Sequence, residues 1–154
     1  MGRIIAGDDK MIESDTIKLL RECDAGVKMG VSSIDDVIDY VGNEKFKQQL
    51  NACKDEHEKL RSEIAEQLER FQDEGKEPNM MARSMSWMKT NVKLKFNECD
   101  ATIASLMTDG CNMGVKSLNR YLNEYEAADE FTKDITKRLI KLEEKLTEQI
   151  KEYL

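Results

Sequence analysis

The chain has 154 residues, of which 36% are charged and 6% aromatic, with a single proline and a net charge of −7. That length suits one domain able to bury roughly 70% of its unfolded surface, so it needs no disulfide or metal staple to fold. The acidic balance leaves no broad basic face for nucleic acid, and the richness in Glu, Lys, Leu and Ile favours helices over a sheet.

At the N-terminus, Ile4-Ile5-Ala6 is too short for a signal peptide. Met1-Gly2 would open a myristoylation motif, but Ala6 stands where Ser or Thr is required. No uncharged apolar run approaches the roughly 20 residues of a membrane span. Residues 1–10 therefore read as a loose leader, followed by one domain over 11–154 in the cytoplasm. Cys23, Cys53, Cys99 and Cys111 include no Cys-x-x-Cys pair and read as free thiols in a reducing compartment.

The first helix is expected over 12–41. Leu20, Cys23, Val27, Gly30, Ile34, Val37 and Val41 step by three or four along one face. Gly42 is placed to close it in the left-handed conformation, and Asn43 to cap the next helix. The second helix, 44–73, carries the cleanest stripe: Phe46, Leu50, Cys53, His57, Leu60, Ile64, Leu68 and Phe71. Gly75 and Pro78 end it. A short helix over 79–95 follows, with Met81, Met85, Met88 and Val92 on its apolar side. The third long helix, 100–125, uses Ile103, Met107, Gly110 or Cys111, Gly114, Leu118, Tyr121 and Tyr125. Asp129 caps a fourth helix, 129–153, with Phe131, Ile135, Leu139, Leu142, Leu146 and Ile150 on its face.

Gly-x-x-Met-Gly-Val occurs twice, at Gly26–Val31 and Gly110–Val115, 84 positions apart. Each copy sits in a long helical pattern that is followed by a tight break and another helix. The chain thus reads as two related helical hairpins joined by a crossover, an all-α four-helix bundle. The paired glycines serve either close helix approach or a mid-bundle cavity, since each costs roughly 0.8–1 kcal/mol against alanine in a helix interior.

One constellation could carry chemistry. His57, the only histidine, shares a face with Cys53 four residues earlier. Counting outward from the turns places Val27 near His57, and Cys111, its counterpart in the repeat, near Leu142 or Glu143. Cys53, His57, Cys111 and Glu143 are therefore the candidate metal ligands, with donor types that suit zinc or iron. The plainer alternative makes the thiols small core residues and gives His57 a hydrogen-bonding partner. The second candidate is the stretch 79–95. Its methionines Met81, Met85 and Met88, with Trp87 and several basic residues, describe an amphipathic helix that either covers the bundle seam or docks on a partner or anionic membrane. No Ser/His/Asp or Cys/His/Asn triad can be assembled from one histidine on this basis.

The run Gly75-Lys76-Glu77-Pro78 followed by Ser86-Trp87-Met88-Lys89-Thr90-Asn91-Val92-Lys93 resembles the turn and Trp-containing short helix between the hairpins of small bacterial ferritin-like proteins. The resemblance spans roughly 12–153 and implies a ferritin-like bundle. It does not imply di-iron chemistry. That pattern needs Glu-x-x-His on two helices; here Lys54 precedes His57 by three, and the fourth helix has no histidine. The expectation is a non-catalytic structural or interaction protein with no predicted cofactor, forming a homodimer. The alternatives are a mononuclear zinc or iron protein, or thiol redox protein, built on Cys53, His57 and Cys111, and a binding role for 79–95.

Overall fold

The computed structural model describes the backbone of residues 2–77 and 99–154, and the side chains of 9–77 and 100–154. Four long helices make up the described chain: α1 (Gly2–Val37), α2 (Glu44–Arg70), α3 (Cys99–Glu124) and α4 (Glu130–Ile150). Short 3-10 turns at Ile38–Tyr40 and Lys151–Tyr153 close α1 and α4. The expected short helix over 79–95, with Met81, Met85, Trp87 and Met88, lies outside the described residues.

Hydrogen bonds at the two ends fix the chain directions. At one end, the backbone N–H groups of Gly42 and Asn43, between α1 and α2, donate to the two carboxylate oxygens of Asp100 at the start of α3. At the other end, Asp15 and Thr16 of α1 accept from the N–H groups of Ala127 and Asp129, between α3 and α4. So α1 and α4 run one way and α2 and α3 the other. Each helix packs beside antiparallel neighbours in the cyclic order α1, α2, α4, α3. The end of α2 and the start of α3 lie at opposite ends of the bundle.

Caps set where the helices begin. Asn43 accepts from the N–H of Phe46, and Asp129 from that of Thr132, each satisfying an orphan donor of a first turn. The core divides into two layers. Ile34, Val37, Phe46, Leu50, Ile103 and Ile150 fill the Gly42 end. Leu19, Leu20, Val27, Ile64, Leu118 and Ile135 fill the other. The expected stripes supply most of both.

Two expectations need correction. Gly42 does not take the left-handed conformation: Val41 is extended and the Asp100 carboxylate collects the free N–H groups. Phe131 is 49% exposed, while Thr132 is fully buried. The Asp129 cap and its bond to Thr16 fix the rotation of the first turn of α4 and direct Thr132 inward. Of the two alternatives offered for the third stripe, Cys111 is the buried one and Gly110 is exposed.

After α2 the chain folds back on α1. Gly75 adopts φ +83°, a conformation in which a side chain would be strained. The turn is pinned by the nearly buried Asp24, which accepts from the N–H of Lys76 and pairs with Lys28. Arg21 grips Asp73 through two nitrogens, and Lys76 reaches Glu22.

Candidate functional site

Midway along the bundle, between the two core layers, lies a buried polar cluster. His57 is 1% exposed. Its Nδ1 lies 2.8 Å from the carbonyl oxygen of Cys53, one turn back on α2, and 3.5 Å from the Cys53 Sγ. Its Nε2 lies 2.8 Å from Oε1 of Glu143 on α4. The Glu143 carboxylate also faces the Cys111 thiol of α3. All four residues singled out from the sequence therefore belong to one neighbourhood.

The partners decide where the protons are. A carbonyl oxygen only accepts, so His57 Nδ1 carries a hydrogen and donates it. An Nε2–carboxylate distance of 2.8 Å then requires a second proton between those atoms. Burial works to strip that proton from the ring and is the largest single influence. Together, the Cys53 and Glu143 partners outweigh it and raise the His57 pKa from 6.5 to about 10. The ground state is a buried imidazolium–carboxylate pair. Burial and the adjacent Glu143 charge push the Cys111 thiol strongly upward, so it stays protonated. Cys23, in the other layer, is pushed up to about 12 by burial and contacts the Thr136 hydroxyl at 3.1 Å.

The repeated motif builds this site. A Cβ added at Gly30 would stand 2.6 Å from both Cδ2 and Nε2 of His57, so the imidazole occupies the space a side chain there would take. At Gly114, the matching glycine of the second copy, the nearest atom is Oε2 of Glu143, at 3.8 Å. His57 and Glu143 are 86 positions apart. The caps Asn43 and Asp129 have the same spacing, so the two residues hold equivalent places in the two hairpins. The equivalent positions of the two hairpins meet face to face, one as base and the other as acid. Sequence reasoning missed these roles of Gly30 and Gly114. The signal was present in the shared glycine spacing, once α2 and α4 are aligned on their caps.

The geometry separates the candidate ligands. Cys53 stands on the Nδ1 side of the ring, whereas Glu143 stands on the Nε2 side, and both ring nitrogens are already bonded within the chain. One ion cannot be reached from both sides of an imidazole with bonds of about 2.0–2.3 Å. Among the described residues, no group of three or more His, Cys, Asp or Glu side chains is arranged to hold a metal. A cavity of about 530 Å³ opens elsewhere, lined by Asp24, Lys28, Arg61, Leu68 and Asp73 among others, and none of the four cluster residues borders it. No described helix is long and apolar enough to cross a membrane.

No family model, curated protein or solved structure matches this chain. The site must be read from its own chemistry.

The charge state has a pH signature. The folded His57 pKa lies above its ordinary value of 6.5, so the pair's contribution is fully present below pH 6.5. It is lost as pH rises through about 10. The denaturant midpoint is expected to fall between pH 7 and 10, and the fall to vanish in His57→Leu.

Proposed function

We propose that this chain is a ferritin-like helical bundle that lacks a standard di-iron site and serves as a non-catalytic structural or interaction protein. One observation carries the reading: both ring nitrogens of the only histidine are taken by partners inside the chain, at 2.8 Å each. A group so satisfied has no lone pair for a metal and no free proton position for a substrate. The ferritin-like part rests on the helix directions: α1 and α4 oppose α2 and α3, and the end of α2 and start of α3 lie at opposite ends, as in bundles with a single crossover. A cytoplasmic homodimer is the assembly that goes with this reading, and light scattering at micromolar concentration tests it.

Elemental analysis of protein purified without a metal-affinity tag tests the central claim. The expected result is less than stoichiometric zinc or iron, with a thermal midpoint unchanged by chelator. Stoichiometric metal, with a midpoint that drops on chelation, would overturn it in favour of the metal reading at Cys53, His57, Cys111 and Glu143.

A further inference from the structure

Beyond α2 the chain from Asp73 to Glu77 reads Asp-Glu-Gly-Lys-Glu, with no apolar side chain. Hydrophobic burial therefore does not hold this segment against the bundle. Charge does. Three ion pairs tie it to α1: Asp73 to Arg21, Lys76 to Glu22 and Glu77 to Lys28. A fourth tie is the Lys76 N–H, which donates to the Asp24 carboxylate at 2.9 Å. The end of α2 is satisfied without any of them. The N–H of Gln72 donates to the Glu69 carbonyl, and that of Asp73 to the Leu68 carbonyl, which closes the last turn on itself.

We propose that residues 73–77 are an ionic latch, a strap that lifts off α1 as a unit when ionic strength rises while the four helices stay folded. Dissolved ions reach all three pairs. The Arg21 and Lys76 side chains are 46% and 35% exposed, and that of Glu77 is 77% exposed. Charges are screened over about 10 Å at 0.1 M salt and about 3 Å at 1 M, so the three pairs weaken together. The apolar layers between the helices carry no charge to screen. Lifting the strap also strands no charge on α1: Asp24 keeps Lys28 at 2.8 Å and takes water in place of the Lys76 N–H. Gly75 lets the strap close. A Cβ there would run into the Asp24 carboxylate, and the φ of +83° suits glycine.

The latch has a structural consequence. The cavity of about 530 Å³ is walled by Lys28, Arg61 and Leu68 of the helices on one side, and by Gln72, Asp73 and Glu74 on the other. Lifting the strap takes away that second wall. It also uncovers Asp24, which is 3% exposed while the latch is closed. Ionic strength thus sets whether this end of the bundle is covered or open. The latch lies within one chain and needs neither a metal nor a second copy.

Amide hydrogen exchange of the full chain, resolved by residue with NMR, is the test. Each rate is divided by that of a free peptide of the same sequence at the same salt concentration. Between roughly 0.05 and 1 M sodium chloride, the Lys76 amide is expected to exchange about tenfold faster, as three exposed pairs weaken. The amide of Ile64, a fully buried residue within α2, should stay as slow as before. A Lys76 rate that salt leaves unmoved overturns the proposal, because charge then does not hold the strap. A rate that rises only in step with Ile64 also overturns it, because the strap then leaves only with the whole fold. Gly75→Ala supplies the open form, since its methyl collides with the Asp24 carboxylate. In that variant Lys76 should exchange near the peptide rate at every salt concentration, with Ile64 still protected. Continued protection of Lys76 there, or an equal loss at Ile64, counts against the latch just as decisively.

Discussion

Replacing Gly30 by alanine is expected to destabilise the fold by about 2–4 kcal/mol, whereas the same change at Gly110 should stabilise it by roughly 0.8–1 kcal/mol. Both glycines belong to the repeated motif and both are helical, so intrinsic propensity predicts the same gain at each. What differs is the space. An alanine methyl at position 110 meets nothing within 4 Å, and at position 30 it lands on the His57 ring, 2.6 Å from two of its atoms. That ring is bonded at both nitrogens and cannot step aside without breaking its contact with Glu143. Breaking a buried pair costs about 3–5 kcal/mol, and the helix-propensity gain of roughly 1 kcal/mol offsets only part of it. Gly26→Ala and Gly114→Ala place their methyls at ordinary contact distances of 3.7 and 3.8 Å, and should share the propensity gain of Gly110→Ala. Urea unfolding of the four variants separates the cases. A neutral Gly30→Ala would mean that the ring is free to move and that its two bonds do not hold it.

Much of the helical layout was legible because it rests on periodicity and capping. The stripes through Phe46–Leu68 and Ile135–Ile150 place apolar groups every three or four residues, and only a helix buries such a pattern on one side. Asn43 and Asp129 precede those stripes as short acceptors, and both cap. Helix ends were less legible where a tertiary group intervenes. Gly42 reads locally as a left-handed terminator, yet the Asp100 carboxylate, far along the chain, satisfies the N–H groups such a terminator would serve. Phe131 reads as a core residue by spacing, but the bonds of Asp15 and Thr16 to the Ala127–Asp129 turn set the helix rotation that turns it outward. A stripe gives a face to within a residue or so; a cross-chain hydrogen bond chooses within that margin.

The cluster was legible in membership and not in chemistry. Counting from the turns brings His57, Cys111 and Glu143 to one level, with Cys53 one turn away, because helices of constant rise keep register from a shared turn. It does not reveal on which side of the imidazole each partner stands, and that is what separates a shared ion from a chain of proton links. The likeness of the two hairpins adds a further point. In a homodimer of one hairpin, a residue on the twofold axis faces its own copy, so a charge there meets a like charge. Joining two hairpins in one chain removes that constraint, and His57 can meet Glu143. The price is a pair that must be kept intact, since neither partner suits the site alone.

That dependence can be measured. Glu143→Leu is expected to cost about 3–5 kcal/mol, because it strands an imidazolium in a site that is 1% exposed. His57→Leu should cost less: the Glu143 side chain is 13% exposed, and water can reach the carboxylate left behind. The double variant His57→Leu/Glu143→Leu leaves no unpaired charge and fills the space with apolar volume. It should recover most of the loss, ending near wild type or above it by up to about 1–4 kcal/mol. The coupling between the two positions in denaturant unfolding is then large and favourable. Simple additivity would instead mean that each side chain contributes only its packing and that the 2.8 Å contact carries no charge complementarity. Repeating the cycle at pH 10 supplies the control. There the His57 ring is losing its proton, so the cost of Glu143→Leu should shrink, while the double variant, with nothing to titrate at either position, should keep the stability it has at pH 7 relative to His57→Leu.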